Sequence, residues 1–173
     1  MSETFETSRL LLRPRTLADT ENCLAMDREP EVTRFVKGPW ADPVAHRAFV
    51  EARTRGPWPS GHGYWTISPL TDPETFIGWV LLLPFESPRT EIGWRLRRQF
   101  WRQGIASEAA AHILRHAVHR LRLAEVVADI HPDNAGSMKV ANRIGLHRVG
   151  PIDVDGDVAI RFALKSSDVR VRS

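Results

Sequence analysis

The stretch of sequence that decides the fold reads EIGWRL at residues 91–96 and continues as WRQGIASE at residues 101–108. The first segment predicts a β-strand. The second begins the clearest helix of the chain, which we expect to run from about Gly104 to Leu121 with apolar residues at the 3.6-residue period. A strand therefore leads through a turn into a helix N-terminus, where backbone N–H groups lack partners and the helix dipole is positive. Such a junction predicts a site for an anion.

Four arginines lie in or beside this turn: Arg95, Arg97, Arg98 and Arg102. The planar guanidinium group suits phosphate recognition, and Gly104 would let a phosphate approach the backbone without a side chain in the way. The sequence contains neither a Walker phosphate loop nor a G-x-G-x-x-G dinucleotide fingerprint. A small phosphorylated ligand fits the cluster, as does a nucleic-acid backbone. From these residues alone, an ordinary capped helix beside a solvated charged loop stays open as well.

Outward from the junction, the chain reads as a mixed α/β protein with antiparallel hairpins around one strand–helix–strand unit. Before the junction we expect a strand at 8–14, a helix opening at Thr16, a helical turn at 31–36, a helix at 43–55 and paired strands at 64–68 and 75–83. After it we expect a strand at 124–130, a helix at 134–144 closed by Gly145, and a hairpin over 146–164. The interpretation is one domain over residues 1–165, followed by a polar, frayed tail at 166–173.

Composition excludes several classes of protein. The chain has 173 residues, of which 42% are hydrophobic and 26% charged, as in one ordinary globular domain. The single cysteine, Cys23, excludes an internal disulfide and a cysteine-rich zinc site, and we expect it to pack in the interior. The polar start at 1–9 lacks a signal core and the longest nearly apolar run, 76–85, is too short to span a membrane, which predicts a cytoplasmic protein.

Four motifs together resemble one enzyme family. Residues 101–106 (WRQGIA) resemble the Q/R-x-x-G-x-G/A cofactor signature of the GNAT acyltransferases, with the first-position tryptophan typical of the RimJ/RimL ribosomal-protein N-terminal acetyltransferase branch. Residues 131–146 (HPDNAGSMKVANRIGL) resemble that branch's N-x-x-S-x-x-V-x-x-x-x-G-F/L/M segment. The opening SRLLLRP at 8–14 and the EIGW strand at 91–94 are also similar to it. Because the four motifs occur in order over most of the chain, it is identified as a RimJ/RimL-like GNAT N-acetyltransferase.

The resemblance implies a fold and an acyl donor. The GNAT fold is a mostly antiparallel mixed sheet of six to seven strands, with flanking helices and two central strands that splay apart. Acetyl-CoA is implied in the gap between those strands, with no metal. The residues implied to bind it are the end of the strand, the turn and helix start, and an asparagine–serine pair: Trp94, Arg95, Leu96, Trp101, Arg102, Gln103, Gly104, Ile105, Ala106, Ser107, Asn134 and Ser137.

The implied reaction is direct attack of a primary amine, on a protein N-terminus or a small molecule, on the thioester. Many GNAT enzymes place a tyrosine seven residues after the asparagine as the acid that protonates the leaving thiolate. Here that position is Ala141, so Ser137 becomes the candidate acid. Glu91 is the first candidate general base because it starts the strand that leads to the cofactor site, with Asp129 and His131 as rivals. Each of these three is equally interpretable as a solvated charge at a strand end.

Other functions and sites stay open beside this one. A non-catalytic acyl-CoA-binding regulatory protein would share the same motifs, whereas a nucleic-acid-binding domain is disfavoured because no aromatic-basic platform is seen. The expected partners are acetyl-CoA and an amine acceptor, without membrane or direct nucleic-acid binding, in a monomer or homodimer. Three histidines at helical spacing lack a carboxylate beside them, so a solvated helix face is favoured over a metal site: His112, His116 and His119. Tryptophans on strands are expected in the core: Trp65, Trp79 and Trp94. Tryptophans in loops are candidates for an acceptor pocket: Trp40 and Trp58.

Overall fold

A computed structural model describes residues 3–169 and contains one central sheet of eight strands. The strands are β1 (Phe5–Glu6), β2 (Leu10–Pro14), β3 (Gly63–Pro69), β4 (Gly78–Pro84), β5 (Arg89–Leu96), β6 (Glu125–Ile130), β7 (His147–Val154) and β8 (Asp157–Lys165). Their order in the sheet is β1-β2-β3-β4-β5-β6-β8-β7. Only β5 and β6 are parallel neighbours, and every other pair within the described residues is antiparallel.

The predicted mixed α/β class is confirmed, and the predicted strand count is slightly too low. The additional strand is β1, which pairs Phe5 with Leu12 and Glu6 with Leu11. Two residues are too few to show the alternating pattern from which strands are predicted.

The helices are α1 (Thr20–Asp27), α2 (Pro30–Thr33), α3 (Pro43–Arg55), α4 (Ile105–Arg115), α5 (Ala135–Ile144) and α6 (Ser166–Val169). A π-helical turn at His116–Arg120 continues α4. The Asp42 carboxylate caps α3 by accepting from the N–H groups of Val44 and Ala45. In the part of the chain that the structure covers, no helix combines the length and apolarity needed to cross a membrane. Residues 166–169, placed by the sequence in a polar tail, form α6, and the rest of that tail lies outside the described residues.

Successive side chains along each strand point to opposite faces of the sheet, and helices cover both faces. On β5, Ile92 and Leu96 are buried in the larger core, which α4 closes with Ala109, Ala110 and Ile113, each fully buried. Helices α1 and α3 contribute to a second, smaller core on the opposite face of the sheet. Side chains from β5 therefore reach both layers, which places this strand at the centre of the site described below.

The histidine face of α4 differs from its prediction as a solvated surface. His116 is only 7% exposed, and its Nε2 lies 3.0 Å from the carbonyl oxygen of Gly61. The Phe5 ring centroid lies 4.9 Å from that of His112 and 5.1 Å from that of His116. The prediction is wrong because β1 and the loop before β3 pack onto this face. Within residues 3–169, no three potential ligands gather as they would around a metal ion.

Candidate active site

The central feature of the site is a gap that opens between β5 and β6. These strands pair only at Arg89–Glu125, Thr90–Val126 and Glu91–Val127. Beyond that point β5 stays paired with β4 as far as Leu96, and β6 stays paired with β8 as far as Ile130. The sheet is therefore intact on both sides of the gap, and the facing edges of the two strands have backbone groups available to a ligand.

The gap belongs to a cleft of about 1890 Å³ that extends to both faces of the sheet. The cleft is lined by Glu91, Asp129 and His131 and by all the predicted binding residues except Gln103. The Gln103 side chain instead donates to the Gln99 carbonyl oxygen at 3.2 Å. Residues of the separate segments 91–107 and 129–137 are thus brought to one cleft, although their individual roles stay predictions.

One end of the cleft is formed by the turn that begins α4. Gly104 is the N-terminal cap of the helix in a left-handed conformation, with φ of 76°, and Arg102 also has a positive φ of 61°. The Trp101 indole fixes the turn to the end of β5 by donating to the Leu96 carbonyl oxygen at 2.9 Å. The backbone N–H groups of residues 102–107 find no acceptor among the described residues. This run of free donors is suited to an anion.

The arginines of this turn do not act as one phosphate-binding cluster. Arg95 contacts Asp27 at 2.7 Å, and its guanidinium carbon lies 5.0 Å from the Trp79 ring centroid, on the sheet face opposite α4. Arg97 forms an ion pair with Glu29, which directly precedes α2, and Arg98 forms one with Glu31 on α2. Arg102 alone of the four has no carboxylate partner within residues 3–169. Of the four arginines, only Arg102 is therefore available to bind a phosphate. The nucleic-acid alternative, which depended on the same cluster, is weakened as well.

No motif in the sequence marks the side chain that holds this turn in place. Glu108, in the first turn of α4, accepts hydrogen bonds from Thr7 Oγ1 at 2.6 Å, Ser8 Oγ at 3.0 Å and Arg9 Nε at 2.7 Å. Arg9 also donates to the Gln103 carbonyl oxygen at 3.0 Å. Burial opposes ionisation of the Glu108 carboxyl, but these hydrogen bonds outweigh it and lower its pKa.

Glu108→Gln is expected to lower the free energy of unfolding by about 1–2 kcal/mol at neutral pH, because charge-assisted hydrogen bonds are lost. Urea unfolding measures this difference.

Since the folded-state pKa of Glu108 is lowered, the contribution of the carboxylate is complete above the unfolded-state pKa. It disappears as the pH falls through the folded-state value, so the two proteins should converge in acid. Glu51→Gln, which removes exposed helical ion pairs on α3, is the control and should cost less than ~0.5 kcal/mol. Equal losses for both variants would contradict the role of Glu108.

The three candidate bases lie in different surroundings. Glu91 is half-buried, and its carboxyl group makes no hydrogen bond or ion pair with any described residue. Burial raises the pKa of its carboxyl, the Arg53 charge opposes the rise, and the Asp129 charge adds to it. Asp129 is held by two hydrogen bonds from Arg161, both 2.8 Å long. His131 stacks on Phe35 with ring centroids 5.1 Å apart. Of the two carboxyl groups, Glu91 is therefore the one without a partner among the described residues, while His131 Nδ1 accepts from the Asp133 N–H at 3.1 Å.

The asparagine–serine pair lies at the start of α5. The Asn134 side-chain oxygen accepts from the Ser137 N–H at 3.1 Å and so caps the helix. The Ser137 hydroxyl makes no hydrogen bond within the described residues and lines the cleft. Ala141, where many GNAT enzymes have tyrosine, is fully buried in the larger core. The cleft therefore contains Ser137 and no hydroxyl at the usual acid position.

The aromatic predictions hold in part. Trp65 and Trp79 are buried at 0% and 8% exposure, and Trp94 packs half-buried against the larger core. Trp40 lines the cleft as expected, whereas Trp58 does not: its indole donates to the Arg53 carbonyl oxygen at 3.0 Å. The prediction for Trp58 is wrong because the loop folds back on the end of α3.

Cys23 is not a nucleophile in this structure. It is 1% exposed, and burial raises the pKa of its thiol to about 11. At pH 8 we therefore expect iodoacetamide to leave the folded protein unmodified and to label one thiol in denaturant, as followed by intact mass. Fast labelling of the folded protein would contradict this.

Comparison with known proteins identifies the family. Residues 9–147 match the Acetyltransferase (GNAT) domain, so the chain belongs to the GNAT acetyltransferases, which use acetyl-CoA as the acyl donor. It is 32% identical over 160 residues to the FsC-acetyl coenzyme A-N(2)-transacetylase of Aspergillus fumigatus, with 84% of this chain and 66% of that protein covered. The chain thus spans slightly less than two thirds of that relative.

Solved structures show the same fold. An acetyltransferase from Agrobacterium tumefaciens superimposes with a TM-score of 0.78 at 27% identity, covering 95% of both chains. Mycobacterium smegmatis RimJ in complex with CoA-disulfide gives a TM-score of 0.72 at 19% identity, covering 92% of this chain and 83% of that one. The predicted GNAT fold is therefore confirmed. At this identity the likeness to RimJ concerns the fold alone.

Proposed function

We propose that this chain is an N-acetyltransferase that moves the acetyl group of acetyl-CoA to a primary amine. The observation that carries the proposal is the gap between β5 and β6, with the free N–H groups of the α4 turn at one end and the unpaired Glu91 carboxyl where the strands separate. A donor and an acceptor can thus approach one point from opposite faces of the sheet.

The described residues fit the coenzyme A part of the donor. The N–H groups of residues 102–107 would bind the pyrophosphate, and Arg102 would add a charge beside it. The pantetheine amides would pair with the open edge of β5 between Ile92 and Leu96, as a further strand does. Asn134 and Ser137 would then lie near the thioester end of the same molecule. The name of the Aspergillus fumigatus relative, which includes acetyl coenzyme A and an N(2) position, supports both the donor and a nitrogen acceptor.

The reaction follows as one displacement. The neutral amine nitrogen attacks the thioester carbonyl carbon, so that a C–N bond forms and the C–S bond breaks. Glu91 takes the proton that the ammonium form must lose before attack, directly or through one water molecule, and passes it to solvent. The leaving sulfur takes a proton from the Ser137 hydroxyl, which is restored from the nitrogen that has been acylated. Binding both reactants in one cleft supplies the orientation that makes the attack intramolecular in effect.

The acceptor that we propose is a primary amine on a protein N-terminus or on a small molecule. The RimJ/RimL-like motifs favour a protein N-terminus, and the size of the cleft also admits a small-molecule amine. We propose that the protein is located in the cytoplasm and that its oligomeric state is a monomer or a homodimer.

The test is amine-dependent release of the coenzyme A thiol, measured across a panel of N-terminal peptides and small primary amines. We expect release with at least one class of amine, together with binding of acetyl-CoA in calorimetry. Binding of acetyl-CoA without thiol release for any amine would favour the non-catalytic acyl-CoA-binding alternative. Absence of both would reject acetyl transfer and the donor site together.

A further inference from the structure

Two arginines on the side of the cleft formed by α1–α3 have no carboxylate partner within the described residues. Arg15 directly follows β2, Arg53 lies on α3, and both line the cleft together with Glu91. Neighbouring arginines on the same sheet face are held in ion pairs: Arg13 with Asp19 at 2.6 Å, and Arg95 with Asp27 at 2.7 Å. The two unpaired arginines are therefore a local exception, and no sequence motif marks them.

Arg15 is a buried charge without a carboxylate partner among the described residues. It is 9% exposed, and its Nε is enclosed with no acceptor among the described residues. Its guanidinium carbon lies 3.7 Å from the Tyr64 ring centroid and 6.0 Å from that of Trp79. Burial lowers its pKa, and the adjacent Cys23 thiol is neutral at physiological pH because its own pKa is about 11. A cation in such surroundings is unfavourable unless a ligand supplies the opposite charge.

Tyr64 holds the second arginine beside the first. Arg53 Nε donates to the Tyr64 hydroxyl oxygen at 2.6 Å, and its guanidinium carbon lies 5.3 Å from the Phe49 ring centroid. One guanidinium group thus lies over the face of Tyr64 and the other at its hydroxyl. Aromatic contacts fix both groups before any ligand binds, and this lowers the ordering cost of binding.

The sheet sets the backbone distance between Arg15 and Glu91. The Arg15 N–H donates to the Tyr64 carbonyl oxygen, Tyr64 is opposite Leu81, and Leu81 is opposite Gly93. This row crosses three strand spacings, roughly 14 Å between backbones, and Glu91 lies two residues further along the same face of β5. The long Arg15 side chain covers part of that distance, and the Arg53 charge acts on Glu91 from α3. A ligand that spans the rest needs a chain of several bonds between its two ends.

We propose that Arg15 and Arg53 form an anion subsite for the acceptor, so that the amine this chain acetylates also carries a carboxylate several bonds from its nitrogen. The proposal rests on the proposed function, in which the amine attacks beside Glu91. The planar guanidinium fork binds a carboxylate through two parallel hydrogen bonds, and the aromatic rings around it keep competing water away. A phosphate group offers similar oxygen atoms, and the experiments below separate the two.

Steady-state kinetics with three amines of equal chain length test the subsite: 6-aminohexanoate, 6-aminohexanamide and hexylamine. In the parent protein we expect kcat/KM for 6-aminohexanoate to exceed that for either uncharged analogue by about tenfold or more. Arg15→Gln should raise KM for 6-aminohexanoate about tenfold and leave hexylamine within about twofold, while Arg15→Lys keeps part of the preference. Because the Arg53 charge also acts on Glu91, Arg53→Gln is compared by a ratio: kcat/KM for 6-aminohexanoate relative to hexylamine should fall about tenfold. Equal kinetic constants for the three amines in the parent would overturn the proposal.

The matched control is Arg55→Gln, also on α3. Arg55 is exposed, pairs with Glu51 at 3.0 Å and does not line the cleft. This variant removes the same charge two residues away from Arg53, so it should leave the preference for 6-aminohexanoate unchanged. If Arg55→Gln lowers the preference as much as Arg53→Gln does, the effect comes from net charge and the subsite is rejected.

Binding of hexanoate, which has no amine, separates this proposal from the proposed function. Calorimetry should detect hexanoate but not hexanamide, and the binding should weaken about tenfold in Arg15→Gln. Such a result supports the subsite even if no amine is ever acetylated. Conversely, acetylation of hexylamine without binding of hexanoate overturns the subsite and leaves acetyl transfer intact. If hexyl phosphate binds more than about tenfold more tightly than hexanoate, the carboxylate assignment is overturned in favour of phosphate.

Discussion

Glu91→Gln is expected to lower kcat/KM for an accepted amine by about 100-fold or more, and to remove the part of its rise with pH that follows ionisation of the Glu91 carboxyl. The amide is nearly the same size as the carboxyl group but cannot take the proton that the ammonium must lose. Because burial raises the pKa of Glu91, the parent enzyme should gain activity through a pH above the ordinary range of a glutamate. Below that pH the carboxyl is protonated and inactive as a base. The measurement is kcat/KM against pH at saturating acetyl-CoA.

Asp129→Asn is the matched comparison for this experiment. Its carboxylate is on the facing strand but is already held by Arg161 through two hydrogen bonds. We expect the variant to keep the shape of the pH profile, whatever it loses in stability. If Asp129→Asn loses the profile while Glu91→Gln keeps it, the base is Asp129. If neither variant changes the profile, deprotonation occurs in bulk water and the enzyme acts by positioning alone.

Gly104→Val is expected to weaken acetyl-CoA binding by tenfold or more, which corresponds to ~1.4 kcal/mol. Within the protein, a Cβ at this position would meet only Arg9 Nη2, at an ordinary 3.5 Å, so the crowding that the sequence suggests would be with the bound phosphate. Gly104 also has φ of 76°, a conformation that a β-branched residue avoids. Valine should therefore turn the N–H groups of this segment away from the pyrophosphate. Calorimetry with acetyl-CoA measures the loss.

Gly145→Val provides the control for backbone strain. Gly145 closes α5 with φ of 101° and lies outside the cleft, and a Cβ at this position would meet no other atom within 4 Å. Both variants should lose stability in thermal unfolding, but only Gly104→Val should lose affinity. Unchanged affinity in Gly104→Val, or equal losses in both, would reject the placement of the phosphates at the start of α4.

The features that could be predicted from the sequence are those that depend on residues close together in the chain. The strand before Leu96, the turn through Gly104 and the cap at Asn134 each depend on neighbouring residues, so local pattern was sufficient to predict that they form. The short β1 shows no pattern of its own. The packing of Phe5, a residue of β1, on His116 therefore could not be predicted either.

The partners of the charged residues could not be predicted, because they lie far apart in the chain. Arg97 meets Glu29 across 68 positions, and Arg9 meets Glu108 across 99. An arginine in a sequence looks the same whether a carboxylate will neutralise it, as for Arg97, or whether it is left buried and unpaired, as for Arg15. Only the tertiary structure separates a structural ion pair from a charge available to a ligand.

Direct transfer within one complex is tested by mixing excess protein with isotopically labelled acetyl-CoA in a single turnover, with and without an accepted amine. Intact-protein mass spectrometry reports acetylation of the enzyme, and product analysis reports the acetylated amine and free coenzyme A. We expect no acetylated protein in the absence of amine, and equal amounts of acetylated amine and coenzyme A when the amine is added. A labelled acetyl-enzyme that forms before the amine is added, or bound acetyl-CoA that no amine converts, would contradict direct transfer in this cleft.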